Sequence, residues 1–226
     1  MIGLLSSCAL GAAVGAQHAL EPDHLAAVTT MVADHPRRAA WMGALWGLGH
    51  AAALTIVGFV LIAARAELPA QAAAGLELAV AAMLIVLGTR NLVRAWSIGT
   101  GGPVVTHRHG ARLHSHAADQ RAGHVHVAGV AVAVRPLVVG LIHGLAGSGG
   151  LAALAVARMP STATALAYIA LFGIGSIAGM AMVSGAFGVA LGRVIMGRTR
   201  MMVAATGAVS IACGLLWGWS PLIALV

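Results

Sequence analysis

Six long apolar stretches, set off from one another by Arg, Pro or His, divide this chain at roughly 7–32, 40–64, 72–94, 131–157, 163–191 and 203–224. A helix needs about 20 apolar residues to cross the hydrocarbon of a bilayer, and each stretch is long enough. The longer ones must tilt or break. Composition points the same way. Of 226 residues, 60% are apolar and 8% charged, whereas a soluble domain carries about 25% charged residues. That pool cannot make a water-facing surface, which excludes a soluble enzyme, and a mean hydropathy of +0.93 excludes a disordered chain. The sequence therefore predicts an all-α membrane protein with six transmembrane helices.

The basic residues orient it. All are Arg, and thirteen of them against six acidic residues give a formal charge of +7. Arg37, Arg38, Arg90, Arg94, Arg108, Arg112, Arg121, Arg135, Arg193, Arg198 and Arg200 fall on one side of the six spans, against Arg65 and Arg158 on the other. Short loops rich in Arg stay in the cytoplasm, so both termini are expected outside the cytoplasmic (inner) membrane. The surplus of Arg then faces anionic membrane lipid, and nucleic acid is not expected as a partner. Trp41 and Trp96 fall near the inner interface and Trp217 and Trp219 near the outer one, as in an aromatic belt. Cys8 and Cys213 lie far apart in apolar sequence and offer neither a disulfide framework nor a zinc knuckle. No Arg precedes residue 37, so the first stretch lacks the basic start of a cleavable signal and reads as a retained span.

The two halves resemble each other at an offset of 125–126. Gly15-x-x-His18-x-Leu20 recurs as Gly140-x-x-His143-x-Leu145, Leu45-Trp46-Gly47-Leu48-Gly49 as Leu171-Phe172-Gly173-Ile174-Gly175, and Gly88 falls on Gly214. This divides the chain into a first three-span repeat, 1–95, a His-rich cytoplasmic loop, 96–130, and a second three-span repeat, 131–226. Three spans per copy make the second copy enter from the opposite side, the inverted-repeat plan of many secondary transporters. Breaks are expected in the first and fourth spans, at Pro22, which removes a backbone donor, and at Gly147-Ser148-Gly149-Gly150, poor helix-forming sequence.

Within the first span lie His18, Glu21, Asp23 and His24. Ionisable groups at membrane depth are expensive and by default functional. On one regular helix His18 and Asp23 would point about 140° apart, so they can share an ion only if the helix unwinds near Pro22. Imidazole and carboxylate together suit a borderline divalent ion such as Ni²⁺, Co²⁺ or Zn²⁺. His50, among the small residues of the second span, and His143, in the fourth, offer further nitrogens. The plainer alternative for Glu21 is that it faces the loop or pairs with an Arg.

The stretch His18-Ala-Leu-Glu-Pro-Asp23-His24 resembles the H-x-x-x-x-D-H signature of the nickel/cobalt transporter family, and Arg135-Pro136 through Gly140-Leu-Ile-His143-Gly-Leu-Ala-Gly-Ser is similar to its urease-accessory-type six-span branch. The resemblance implies a secondary permease for Ni²⁺ or Co²⁺, with no resident cofactor and no enzymatic activity, in which His18, Asp23 and His24 bind the ion and His50 lies in a second motif. Inward movement by alternating access is the expected direction.

Three H-x-H pairs, His107/His109, His114/His116 and His124/His126, lie in the loop. Short His-rich tracts chelate metal, in the neutral form that prevails above about pH 6.5. This accessory metal loop could buffer arriving ion, sense its excess, or pass it to a cytoplasmic metal chaperone. Three other readings compete. An exporter would use the same ligands and load from the loop. A membrane thiol–disulfide carrier would need cysteines at equivalent repeat positions, where Cys8 and Cys213 have none. An intramembrane metalloenzyme would need a general base, for which Glu21 is the sole candidate.

Overall fold

The computed structural model describes residues 2–32, 36–64, 68–98, 104–109, 112–117, 124–127, 130–145, 161–194 and 199–225. Seven α-helices occur among them: α1 (Ile2–His18), α2 (Pro22–Val32), α3 (Ala39–Ala64), α4 (Ala70–Ile98), α5 (Val134–Leu145), α6 (Thr162–Val194) and α7 (Thr199–Leu225), with a short 3₁₀ turn at Pro36–Arg38 before α3. Four segments, Pro36–Leu61, Ala70–Ser97, Thr162–Arg193 and Arg200–Leu225, are long and apolar enough to cross a membrane. The protein is a multi-pass helical membrane protein.

The first apolar stretch forms two helices. After His18 the chain makes a tight turn in which the Leu20 and Glu21 amides donate to the carbonyls of Gln17 and His18. Pro22 is then the first residue of α2, a position where its missing N–H would have had no partner in any case. The interruption expected at Pro22 therefore lies just before it, and the proline begins a helix instead of breaking one.

Two further boundaries differ from expectation. Helix α4 runs to Ile98, past the predicted end of the third span, with no Gly or Pro between Arg94 and Ile98 to stop it. The loop beyond is not without regular structure. Strand β1 (Val104–His109) pairs with β2 (Arg112–Ala117), and β3 (His124–Val127) with β4 (Val130–Ala133), both antiparallel. These ribbons depart from an all-α reading; β1, β3 and β4 carry the β-branched residues that favour strands, and β2, which has none, pairs along β1. Strand β4 occupies the predicted start of the fourth span, which becomes helical only at Val134. The expected break at Gly147–Gly150 lies outside the described residues.

Glycine seams set the packing. A β-carbon on Gly15 would overlap the Phe172 carbonyl, and one on Gly175 the Ala12 carbonyl, so α1 lies against α6 with both chains running the same way. In the same manner α5 lies along α3, with Gly140 against the Trp46 carbonyl and Gly49 against that of Leu137. Helices α4 and α7 cross antiparallel where Gly88 and Gly207 face each other's carbonyls. Lipid tails give helices no hydrophobic reason to associate, and small residues that admit close backbone approach supply the contact.

Asn91 joins three elements. Its buried Nδ2 donates to the Thr30 carbonyl at 3.2 Å and to Thr206 Oγ1 at 3.3 Å. Thr30 is in the last turn of α2, where a carbonyl has no partner within its own helix, so α4 holds the end of the helix that carries Asp23 and His24. Asn91→Leu is expected to lower stability by about 1–3 kcal/mol, the range for orphaning a buried acceptor. Thermal unfolding in detergent checks this, and an unchanged midpoint would remove the tether.

Candidate metal centre

Five buried polar side chains converge from four helices. His18 comes from the end of α1, Asp23 and His24 from the first turn of α2, His50 from within α3 and His143 from the last turn of α5, none more than 4% exposed. The turn at 19–21 re-aims the chain so that α2 starts beside the end of α1. The Gly140 and Gly144 approach to Trp46 and His50 brings α5 close enough for His143 to reach the same place.

Asp23 is the hub. Its Oδ1 accepts from the His24 backbone amide at 2.9 Å and from His24 Nδ1 at 3.0 Å, and its Oδ2 accepts from His143 Nε2 at 3.0 Å. On the other side His18 Nδ1 donates to Glu21 Oε1 at 2.8 Å, and His18 Nε2 lies 3.0 Å from His50 Nε2. A carboxylate only accepts, so with neutral rings these contacts fix the tautomers. Protons sit on His24 Nδ1, His143 Nε2 and His18 Nδ1, and His50 Nε2 must donate to His18.

That assignment leaves lone pairs on His24 Nε2, His50 Nδ1 and His143 Nδ1, all three buried without a hydrogen-bond partner. Buried polar atoms in folded proteins are nearly always satisfied, and exceptions need a reason. A Lewis acid supplies one. Carboxylates on the opposite ring nitrogens of His18, His24 and His143 are the arrangement that orients and strengthens imidazole ligands. Donor atoms of His18, His24 and His50 lie within 4.8 Å of one another, as do those of Asp23, His24 and His143. The walls are aromatic: Trp46 lies 5.4 Å from His24 and 5.7 Å from His143, and Phe172 lies 5.5 Å from His18, centroid to centroid.

All five residues singled out for the buried cluster meet. His18 and Asp23, expected to share one ion, fall in different triads joined by His24. Glu21, half-exposed in the turn, reaches back to His18, a pairing the three-residue spacing signals. Trp46 and Phe172 were visible as the paired aromatics of the repeat but not as walls of the cluster. The loop histidines lie on the ribbons, His107 and His109 in β1, His114 and His116 in β2, His124 and His126 in β3. The register sets His107 opposite His114.

The chain is similar to the urease accessory protein UreH of Bacillus sp. (strain TB-90), with 31% identity over 182 residues that cover 79% of this chain and 75% of that protein. No protein-family model matches it, and no solved structure matches it.

Proposed function

Given that the chain belongs to the nickel/cobalt transporter family, on its urease-accessory branch, we propose that it is a secondary permease moving Ni²⁺ or Co²⁺ inward across the cytoplasmic membrane. The observation that carries the reading is the set of three unpartnered imidazole nitrogens beside a buried carboxylate. His18, Asp23, His24, His50 and His143 bind the ion as cargo, and the protein needs no resident cofactor. Nickel and cobalt fit a mixed nitrogen and oxygen donor set better than hard ions do.

Alternating access of two inverted three-span repeats is the mechanism we favour, with both termini outside. Equivalent packing supports it. Gly15 meets Phe172 as Gly140 meets Trp46, Gly175 meets Ala12 as Gly49 meets Leu137, and Gly214 meets Ala81 as Gly88 meets Gly207. Each pair is its counterpart displaced by 125–126 residues. Two charges falling through about 100 mV gain roughly 4.6 kcal/mol, twice the single-charge value, so inward movement needs no hydrolytic drive. Released ion would meet the His-bearing ribbons on the cytoplasmic side, and a metal chaperone beyond them. The relative's name ties it to urease, and supplying that enzyme is the role we extend to this chain.

The test is the metal content of metal-limited cells, by elemental mass spectrometry. Nickel or cobalt rising above control cells supports import, a fall below control reverses the direction, and no change in either metal with the protein in the membrane removes the reading. Deleting 107–126 is expected to alter apparent affinity or regulation while basal uptake persists. Complete loss of uptake in that variant would move the essential site into the loop.

A further inference from the structure

The geometry points to two overlapping ion subsites that share His24, between which the ion is handed during transport. This rests on the permease reading above and divides its single binding site. Ligand bonds of about 2.0–2.2 Å confine the donors of one ion to within about twice that distance of each other. The donors of His18, His24 and His50 lie within 4.8 Å of one another, near that limit, as do those of Asp23, His24 and His143, while no such grouping takes in all five side chains. His50 and His143, at the far members of the two groups, have ring centroids 6.0 Å apart. His24 lies between the repeat-equivalent histidines, 4.3 Å from His18 and 4.1 Å from His143. Its Nδ1 is hydrogen-bonded to Asp23 while its Nε2 has no partner, so the one free nitrogen of the ring is common to both groups.

The chemistry favours division. A five-ligand cage would hold a divalent ion too firmly to release it, and permeation works when sites are several and individually weak. Each triad leaves coordination positions open for water or the next ligand. In the transfer His18 and His50 are exchanged for Asp23 and His143, two bonds broken and two formed with no change in oxidation state. The first subsite is three neutral imidazoles, the second carries a carboxylate, so the two differ in donor set and are separable by spectroscopy.

The test uses Co²⁺ as the probe on the full chain purified in detergent, read by X-ray absorption and visible spectra, with nickel uptake measured in cells. His50→Ala is expected to retain one Co²⁺ in a sphere containing carboxylate, and His143→Ala one Co²⁺ in a sphere of imidazole nitrogen without it. Both should lose at least about tenfold in uptake, and His24→Ala should lose Co²⁺ binding. If either alanine variant is not monodisperse, His50→Gln and His143→Gln replace them. Identical spectra with equally weakened binding in the two single variants would establish one common site and overturn the proposal. A monodisperse wild type that binds neither Co²⁺ nor Ni²⁺ would instead overturn the permease reading itself.

Discussion

Replacing Asp23 by Ala is expected to bring nickel and cobalt accumulation close to that of cells lacking the protein, with a loss of about 10–100-fold in apparent affinity. The carboxylate holds His24 through Oδ1 and His143 through Oδ2. Without it both rings lose their orientation, and two buried N–H groups lose their acceptor, at about 1–3 kcal/mol each. Asp23→Asn keeps the shape but puts an amide N–H against one of the two ring donors, so an intermediate loss is expected. Elemental analysis of metal-limited cells, normalised to the amount of membrane-inserted protein, distinguishes these outcomes. Wild-type accumulation by a well-expressed Asp23→Ala would remove the carboxylate from the ion's path.

Gly140→Ala is expected to have the largest effect on stability of any single methyl added to the helices. The new β-carbon would overlap the Trp46 carbonyl and lie 3.0 Å from the His50 amide nitrogen. Both neighbours are backbone, so no side chain can swing away and α5 itself must retreat from α3. Overpacking of this kind costs about 1–3 kcal/mol, occasionally more, which at about 2–4 °C per kcal/mol for a chain of this size lowers the midpoint by several degrees. Retreat of α5 also withdraws His143 from Asp23, so uptake should fall with stability. Gly192→Ala is the control, since a β-carbon there meets nothing within 4 Å. Equal midpoints for the two variants would mean that α5 does not lie so close to α3.

The long helices were legible because a bilayer demands an apolar run of known length, and α3 begins and ends within a residue of its apolar stretch. Hydropathy marks where hydrocarbon stops, not where a helix stops, which is why α4 outran its predicted span. The ribbons escape a hydropathy reading for a related reason: 96–130 is polar overall, and its strand propensity lies in the valines set among the histidines. The buried cluster was legible from the rarity of His and Asp in apolar sequence. Its partition into triads was not. The estimate of 140° between His18 and Asp23 presupposed one helix, and the turn at 19–21 replaces that angle with a geometry that sequence periodicity does not encode. Glu21 meets the imidazole one turn earlier, a partner that its charge alone does not indicate.

That turn has an electrical consequence. Peptide dipoles add along a helix to about half a negative charge at its C-terminus and half a positive charge at its N-terminus. The break between α1 and α2 sets the negative end beside His18 and the positive end beside Asp23. Peptide groups thus draw a cation toward His18 and set a complementary partial charge beside the Asp23 carboxylate. A divalent ion feels twice the pull of a monovalent one from the same partial charge, so in the proposed permease the main chain itself would favour a divalent cargo. Side-chain replacement can change which divalent metal is held, but this share of the discrimination by charge should persist for as long as the two half-helices meet there.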